Sequence, residues 1–184
     1  MTLDPRQLGG GPGWGPRAVA LGGGHGLAAT LGALRHVCGD LTAVVTVADD
    51  GGSSGRLRHE LGMLPPGDLR MALSALCDDS EWGQTWRDVL QHRFRSDGPL
   101  DGHAVGNLLI VALWELLGDE VAGLDWVGRL LGARGRVLPM AAVPLDIEAE
   151  VRLEGTEQLR VVRGQSRVAV TSGNIETVRL IPHD

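Results

Sequence analysis

The chain has 184 residues, 43% of them hydrophobic, and its 23 acids against 17 bases give a net charge of −6. That length supports a single domain with a sizeable core, and the charge balance lacks the basic surplus that general nucleic-acid binding needs. Every base is arginine, which excludes a lysine-based phosphate loop or a Schiff-base mechanism.

Two cysteines, Cys38 and Cys77, fit neither a metal-site spacing nor a disulfide framework, so a reducing compartment is expected. No signal-peptide pattern is seen. The longest charge-free apolar stretch, Gly102 to Trp114, is too short to cross a bilayer. These features predict a soluble cytoplasmic protein with no membrane association.

Residues 1–16 are rich in glycine and proline and are expected to form a disordered tail ahead of one domain over 17–184. Residues 18–21 read as a buried strand. Leu27 to Val37 carries Leu27, Leu31 and Leu34 at helical spacing, and Leu41 to Val47 is β-branched and strand-like. Strand, glycine turn, helix and strand make a βαβ unit. Ser53 to Leu61 is charged and is expected to be a loop with one helical turn.

After the break at Pro65-Pro66-Gly67, Asp68 is a candidate N-cap for a helix over Leu69 to Cys77. Trp82 to Phe94 also has helical periodicity. Ala104 to Leu117 is apolar nearly all round and predicts a buried central helix, with one more over Leu124 to Leu131. Trp82, Trp86 and Trp126 lie among aliphatics at helical spacing, which fits core or interface packing. From Arg136 the pattern changes to short strands: Arg136–Pro139, Asp146–Leu153, Leu159–Val162, Arg167–Val170 and Thr177–Ile181. The fold class is α/β: a Rossmann-like parallel sheet with helices, followed by a C-terminal antiparallel β segment.

Two glycine-rich loops each follow a predicted strand: Gly22-Gly23-Gly24-His25-Gly26, and Asp49-Asp50-Gly51-Gly52-Ser53-Ser54-Gly55. Parallel strands would place both at the carboxyl edge, where open α/β sheets bind ligands. Glycines let backbone amides approach a phosphate, and a helix start adds favourable partial charge. The amides from Gly23 to Leu27 are therefore candidates for a diphosphate.

Alternatives stay open at several positions. The first loop gives only the start of a dinucleotide fingerprint, because Leu27 stands where the third glycine belongs; a tight turn without a ligand has the same sequence. Asp49 and Asp50 suit three roles: gripping ribose hydroxyls in a nicotinamide-dependent oxidoreductase, binding Mg²⁺, or capping a solvated turn. The donors of Gly51, Gly52, Ser53 and Ser54 suit an anion better than a ribose alone. Arg56, Arg58 and Arg70 can make bidentate phosphate contacts or surface ion pairs with Glu60 or Asp68. His103 and Asn107, four apart, share one helix face as a core network or a ligand contact. His25 can strengthen phosphate binding at low pH or point to solvent.

Several stretches together resemble the YvcK-like gluconeogenesis factors, relatives of the CofD 2-phospho-L-lactate transferases. They are Leu21–Leu27, Thr46–Arg58, Pro65–Arg70, Gly102–Leu108 and Val137–Pro139. The segment from Ala48 to Arg58 is the most specific. His25 and Met71 depart from the residues usual in that family, Thr and Asn. Members are also longer, continuing into a second αβ portion, so the chain resembles an N-terminal piece. The resemblance implies binding of a uridine-diphosphate sugar of the N-acetylglucosamine type. It also implies a regulatory rather than catalytic role linked to gluconeogenic growth, cell-wall precursor supply and cell shape, with protein partners in cell-wall regulation. The transferase relatives instead use a guanosine nucleotide and magnesium. The candidate nucleotide-binding set is Gly22, Gly23, Gly24, His25, Gly26, Leu27, Gly51, Gly52, Ser53, Ser54, Arg56, Asp68, His103 and Asn107, with Asp49 and Asp50 at a metal. The apolar helices suggest a homodimer.

Overall fold

A computed structural model describes residues 15–182. The tail expected over 1–16 lies almost wholly outside the described residues.

Three parallel strands, β1 (Arg17–Gly22), β2 (Asp40–Val45) and β3 (Arg136–Pro139), form one sheet in the order β1-β2-β3. Helix α1 (Gly24–Leu34) joins β1 to β2 as expected. Four further helices and α2 separate β2 from β3: α2 (Gly52–Leu61), α3 (Pro66–Leu76), α4 (Glu81–Gln91), α5 (Val105–Leu117) and α6 (Glu120–Leu130). The core gathers Leu27 and Leu31 of α1, Leu41, Ala43 and Val45 of β2, and Leu69, Leu73 and Leu76 of α3. Helix α5 adds Ile110, Val111 and Trp114, whose indole N–H donates to the Glu120 carbonyl at 2.9 Å.

Parallel sheets are normally covered on both faces. Here Val19 and Leu21 of β1 remain 67% and 70% exposed, so the cover of this sheet is one-sided at its β1 edge.

The second sheet is antiparallel, in the order β5-β4-β6, with β4 (Leu145–Arg152), β5 (Leu159–Arg163) and β6 (Asn174–Pro182). Its small core holds Ala149, Val151 and Val162, with Val168 packed against it.

Four expectations need correction. Residues 18–21 are not a buried strand, since Val19 and Leu21 lie on an uncovered face. Asp68 is not an N-cap: α3 starts at Pro66 after Pro65, which leaves Asp68 in its first turn. Arg167–Val170 is not a strand but part of a short helix, α7 (Gln165–Val170). Val168 and Val170 imitate strand alternation, yet a carboxylate from far away in sequence holds the first turn: Asp50 accepts the Ser166 N–H at 2.9 Å. Ser53–Leu61 is not a loop but lies within the ten-residue helix α2, because Ser53, Ser54, Leu57 and Arg58 are buried on one side of it. Both Cys38 and Cys77 are free thiols. Among the described residues, no helix is long and apolar enough to cross a membrane.

Candidate functional site

The parallel register decides where the glycine loops lie. Gly22 pairs with Val45, and the next amide, Thr46 N–H, donates to the Gly22 carbonyl at 2.8 Å. Both loops therefore leave the sheet at the same carboxyl edge.

The first loop enters α1 through Gly24, whose φ of +60° favours glycine. The first helix-type bond runs from Leu27 N–H to the Gly23 carbonyl at 3.4 Å. The amides before it start a helix and have no partner within it. His25 and Gly26 are exposed there. Asp68, in the first turn of α3, reaches across to this start. It accepts the Thr46 hydroxyl at 3.2 Å and the Gly24 amide. Burial raises its pKa above the ordinary carboxylate value, and the nearby Asp49 charge adds to the rise. A Cβ on Gly23 would lie 2.1 Å from Thr46 Oγ1 and 2.3 Å from Asp68 Oδ2, so glycine is what permits this close approach.

The second loop is organised differently. Asp49 Oδ1 accepts the Gly51 amide at 3.0 Å. Asp50 Oδ1 turns the other way and accepts both the amide and the hydroxyl of Ser166, the latter at 2.5 Å. The two carboxylates thus serve different hydrogen-bond partners. Among the described residues, no group of three His, Cys, Asp or Glu side chains is placed to hold a metal.

Ser53 and Ser54 point inward from the start of α2. Ser54 Oγ accepts the Gly67 amide at 3.0 Å, which ties α2 to α3. Ser53 Oγ accepts from Asn107 Nδ2 at 3.0 Å and the Ala104 amide at 3.3 Å, and lies 3.0 Å from His103 Nδ1. Asn107 Oδ1 in turn accepts Arg70 Nε–H at 2.9 Å. Burial holds the His103 pKa below its ordinary value, with Arg56 and Arg93 adding repulsion, so a neutral imidazole fits this network. His103 and Asn107 both take part in a buried polar network around Ser53.

Arg56 faces away from the first loop, donating to the Pro99 and Asp101 carbonyls at 3.2 and 2.6 Å. Arg58 is 2% exposed and pairs with Asp146 at 2.6 Å, with a second bond to the Leu145 carbonyl. Neither Asp146 nor Ser166 stood out in the sequence, because each acts on the second loop from more than 80 residues away. Beside the rim lies a cavity of about 290 Å³, with Thr46, Asp49 and Asp68 on one side and Met140, Leu145 and Leu180 on the other.

Residues 18–184 match the family model described as 2-phospho-L-lactate transferase CofD. The chain belongs to the CofD family. Within that family, a Mycobacterium leprae relative is 57% identical over 175 residues, covering 94% of this chain and 49% of its own length. The gluconeogenesis factor of Bacillus subtilis is 42% identical over 167 residues, covering 91% of this chain and 50% of its own. A crystal structure of a Bacillus halodurans protein, described as a member of the upf0052 family, superposes with a TM-score of 0.81 at 37% identity; the match covers 92% of this chain and 52% of that one. The chain thus spans about half the length of the CofD-family relatives it matches.

Proposed function

We propose that this CofD-family chain contributes to binding a nucleotide sugar of the uridine-diphosphate N-acetylglucosamine type, and that its output is regulatory. The observation that carries this reading is the shared carboxyl edge of the two loops, fixed by the Gly22–Val45 register and the Thr46 N–H bond to Gly22. The exposed start of α1 at His25 and Gly26 offers backbone donors and positive partial charge to a diphosphate. Apolar Met140 and Leu180 in the neighbouring cavity suit the flat face of a base or sugar. Homologues named gluconeogenesis factor support a link to gluconeogenic growth, and we extend that link to a cytoplasmic role in cell-wall precursor supply and cell shape.

Signalling would pass through the second loop. Asp50 grips α7 through Ser166, and Arg58 grips β4 through Asp146. A shift of α2 on ligand binding is thereby passed to the antiparallel sheet, a surface for protein partners.

Isothermal titration calorimetry with uridine-diphosphate N-acetylglucosamine, guanosine nucleotides and nicotinamide cofactors tests this directly. Micromolar binding of the uridine compound alone is the expected result. Turnover of a guanosine-activated phospholactyl donor onto a deazaflavin acceptor would replace the regulatory reading with transferase activity. The two carboxylates in the cavity wall, Asp49 and Asp68, favour that second reading.

A further inference from the structure

A second recess lies between α1, α3 and α4. It encloses about 440 Å³, and its walls include His25, Arg70, Ser74, Arg87, Gln91 and Arg93. Three guanidinium groups and an imidazole line it, and no carboxylate does.

Two of its donors lack acceptors. Arg70 is 3% exposed; its Nε–H is used by Asn107, while its Nη1 is buried with no partner. Ser74, one turn further along α3 and also 3% exposed, has a buried hydroxyl with no partner. Positions four apart share one helix face, so both donors face the same side of α3. Leaving such groups unsatisfied is costly, which makes a complementary acceptor favourable.

The other cations keep donors to spare. Arg93 uses Nη1 on the Gly102 carbonyl at 2.8 Å, and Arg87 pairs with the exposed Asp88 at 2.9 Å. Guanidinium forks match the oxygens of a phosphate in pairs, and a hydroxyl completes the set. Burial and the neighbouring Arg93 charge push the Arg70 pKa down to about 10, with the Asp68 carboxylate opposing the fall only in part. The volume exceeds that of a phosphate group alone, leaving room for the rest of a small molecule.

We propose that this recess binds the phosphate group of a small phosphorylated molecule, with Arg70 and Ser74 as its buried donors and Arg87 and Arg93 as its outer clamp. The recess adjoins the loop rim at His25 and is otherwise built from α3, α4 and Arg93, so it does not rest on the nucleotide-sugar reading.

Inorganic phosphate is the probe, titrated against the whole chain with sodium chloride at matched ionic strength as control. Calorimetry and the thermal midpoint are the readouts. Saturable binding that stabilises the chain is expected. In the double variant Arg87→Gln/Arg93→Gln it should weaken at least tenfold, and in Ser74→Ala several-fold. Arg129→Gln, a surface change at a residue stacked on Trp126, should leave it unchanged. If Ser74→Ala fails to fold, the exposed double variant decides alone. No saturable effect beyond chloride, or phosphate affinity equal to wild type in the double variant, overturns the proposal. Nucleotide-sugar binding followed in the same double variant separates the two sites: if it survives while phosphate binding is lost, the recess stands and is distinct.

Discussion

The two glycine loops look alike in sequence and do different work. The first, at Gly22–Gly26, leaves the opening turn of α1 exposed at His25 and Gly26, with Asp68 and Thr46 reaching in at Gly23. The second, at Asp49–Gly55, is anchored on three sides: Ser53 to α5, Ser54 to α3, Asp50 to α7. Glycine therefore has two uses on one rim. At Gly26 it leaves the helix start open; at Gly23 it lets Thr46 and Asp68 approach, and at Gly55 it lets the second loop fold back on its own backbone at Asp50.

Alanine substitution breaks this comparison most sharply. A Cβ on Gly55 would lie 2.0 Å from the Asp50 carbonyl oxygen, a backbone atom that cannot swing aside. Gly55→Ala should cost about 2–3 kcal/mol in urea unfolding. A Cβ on Gly26 meets nothing within 4 Å. Gly26→Ala should change stability by less than about 1 kcal/mol, in the stabilising direction. Equal effects at the two positions would erase the distinction drawn between the loops.

A smaller effect sharpens the same contrast through pH. The folded state raises the pKa of Asp68 beside the first loop, so it binds that proton more tightly than the unfolded chain does. This contribution to stability is lost as pH rises from 3.8 through the raised value. The folded state lowers the pKa of His103 behind the second loop, so the unfolded chain binds that proton more tightly. The corresponding stability is lost as pH falls below 6.5. Asp68→Asn should flatten the acid-side slope, and His103→Gln the slope just below 6.5, each read from urea midpoints across pH. Slopes unchanged in both variants would contradict the burial of these groups.

Much of the fold was legible because its signals are local. The β1–α1–β2 unit, the helices α3 to α6 and the strands β3, β4, β5 and β6 follow from apolar periodicity and turn residues. What was misread depends on distant partners. Helix α2 carries a mean polarity that reads as a loop; it is helical because Ser53 and Ser54 find buried partners and Arg58 finds Asp146. Helix α7 alternates like a strand and is held by Asp50 from across the molecule. At the site, the placement of both loops on one rim was readable from two strand-then-glycine patterns. The separation of Asp49 from Asp50 was not, since adjacent carboxylates reveal nothing of which way each turns. The gathering of Arg70, Arg87 and Arg93 was equally hidden, because α3, α4 and the residue after α4 come together only in the folded chain.

The central claim is that the first loop presents its exposed amides, at His25 and Gly26, to a diphosphate. Backbone amide NMR of the chain titrated with uridine-diphosphate N-acetylglucosamine measures it at each residue. The account predicts the largest shifts at His25 and Gly26, with smaller ones at Gly52 and Ser53. Shifts confined to the second loop, or absent from both, would contradict it.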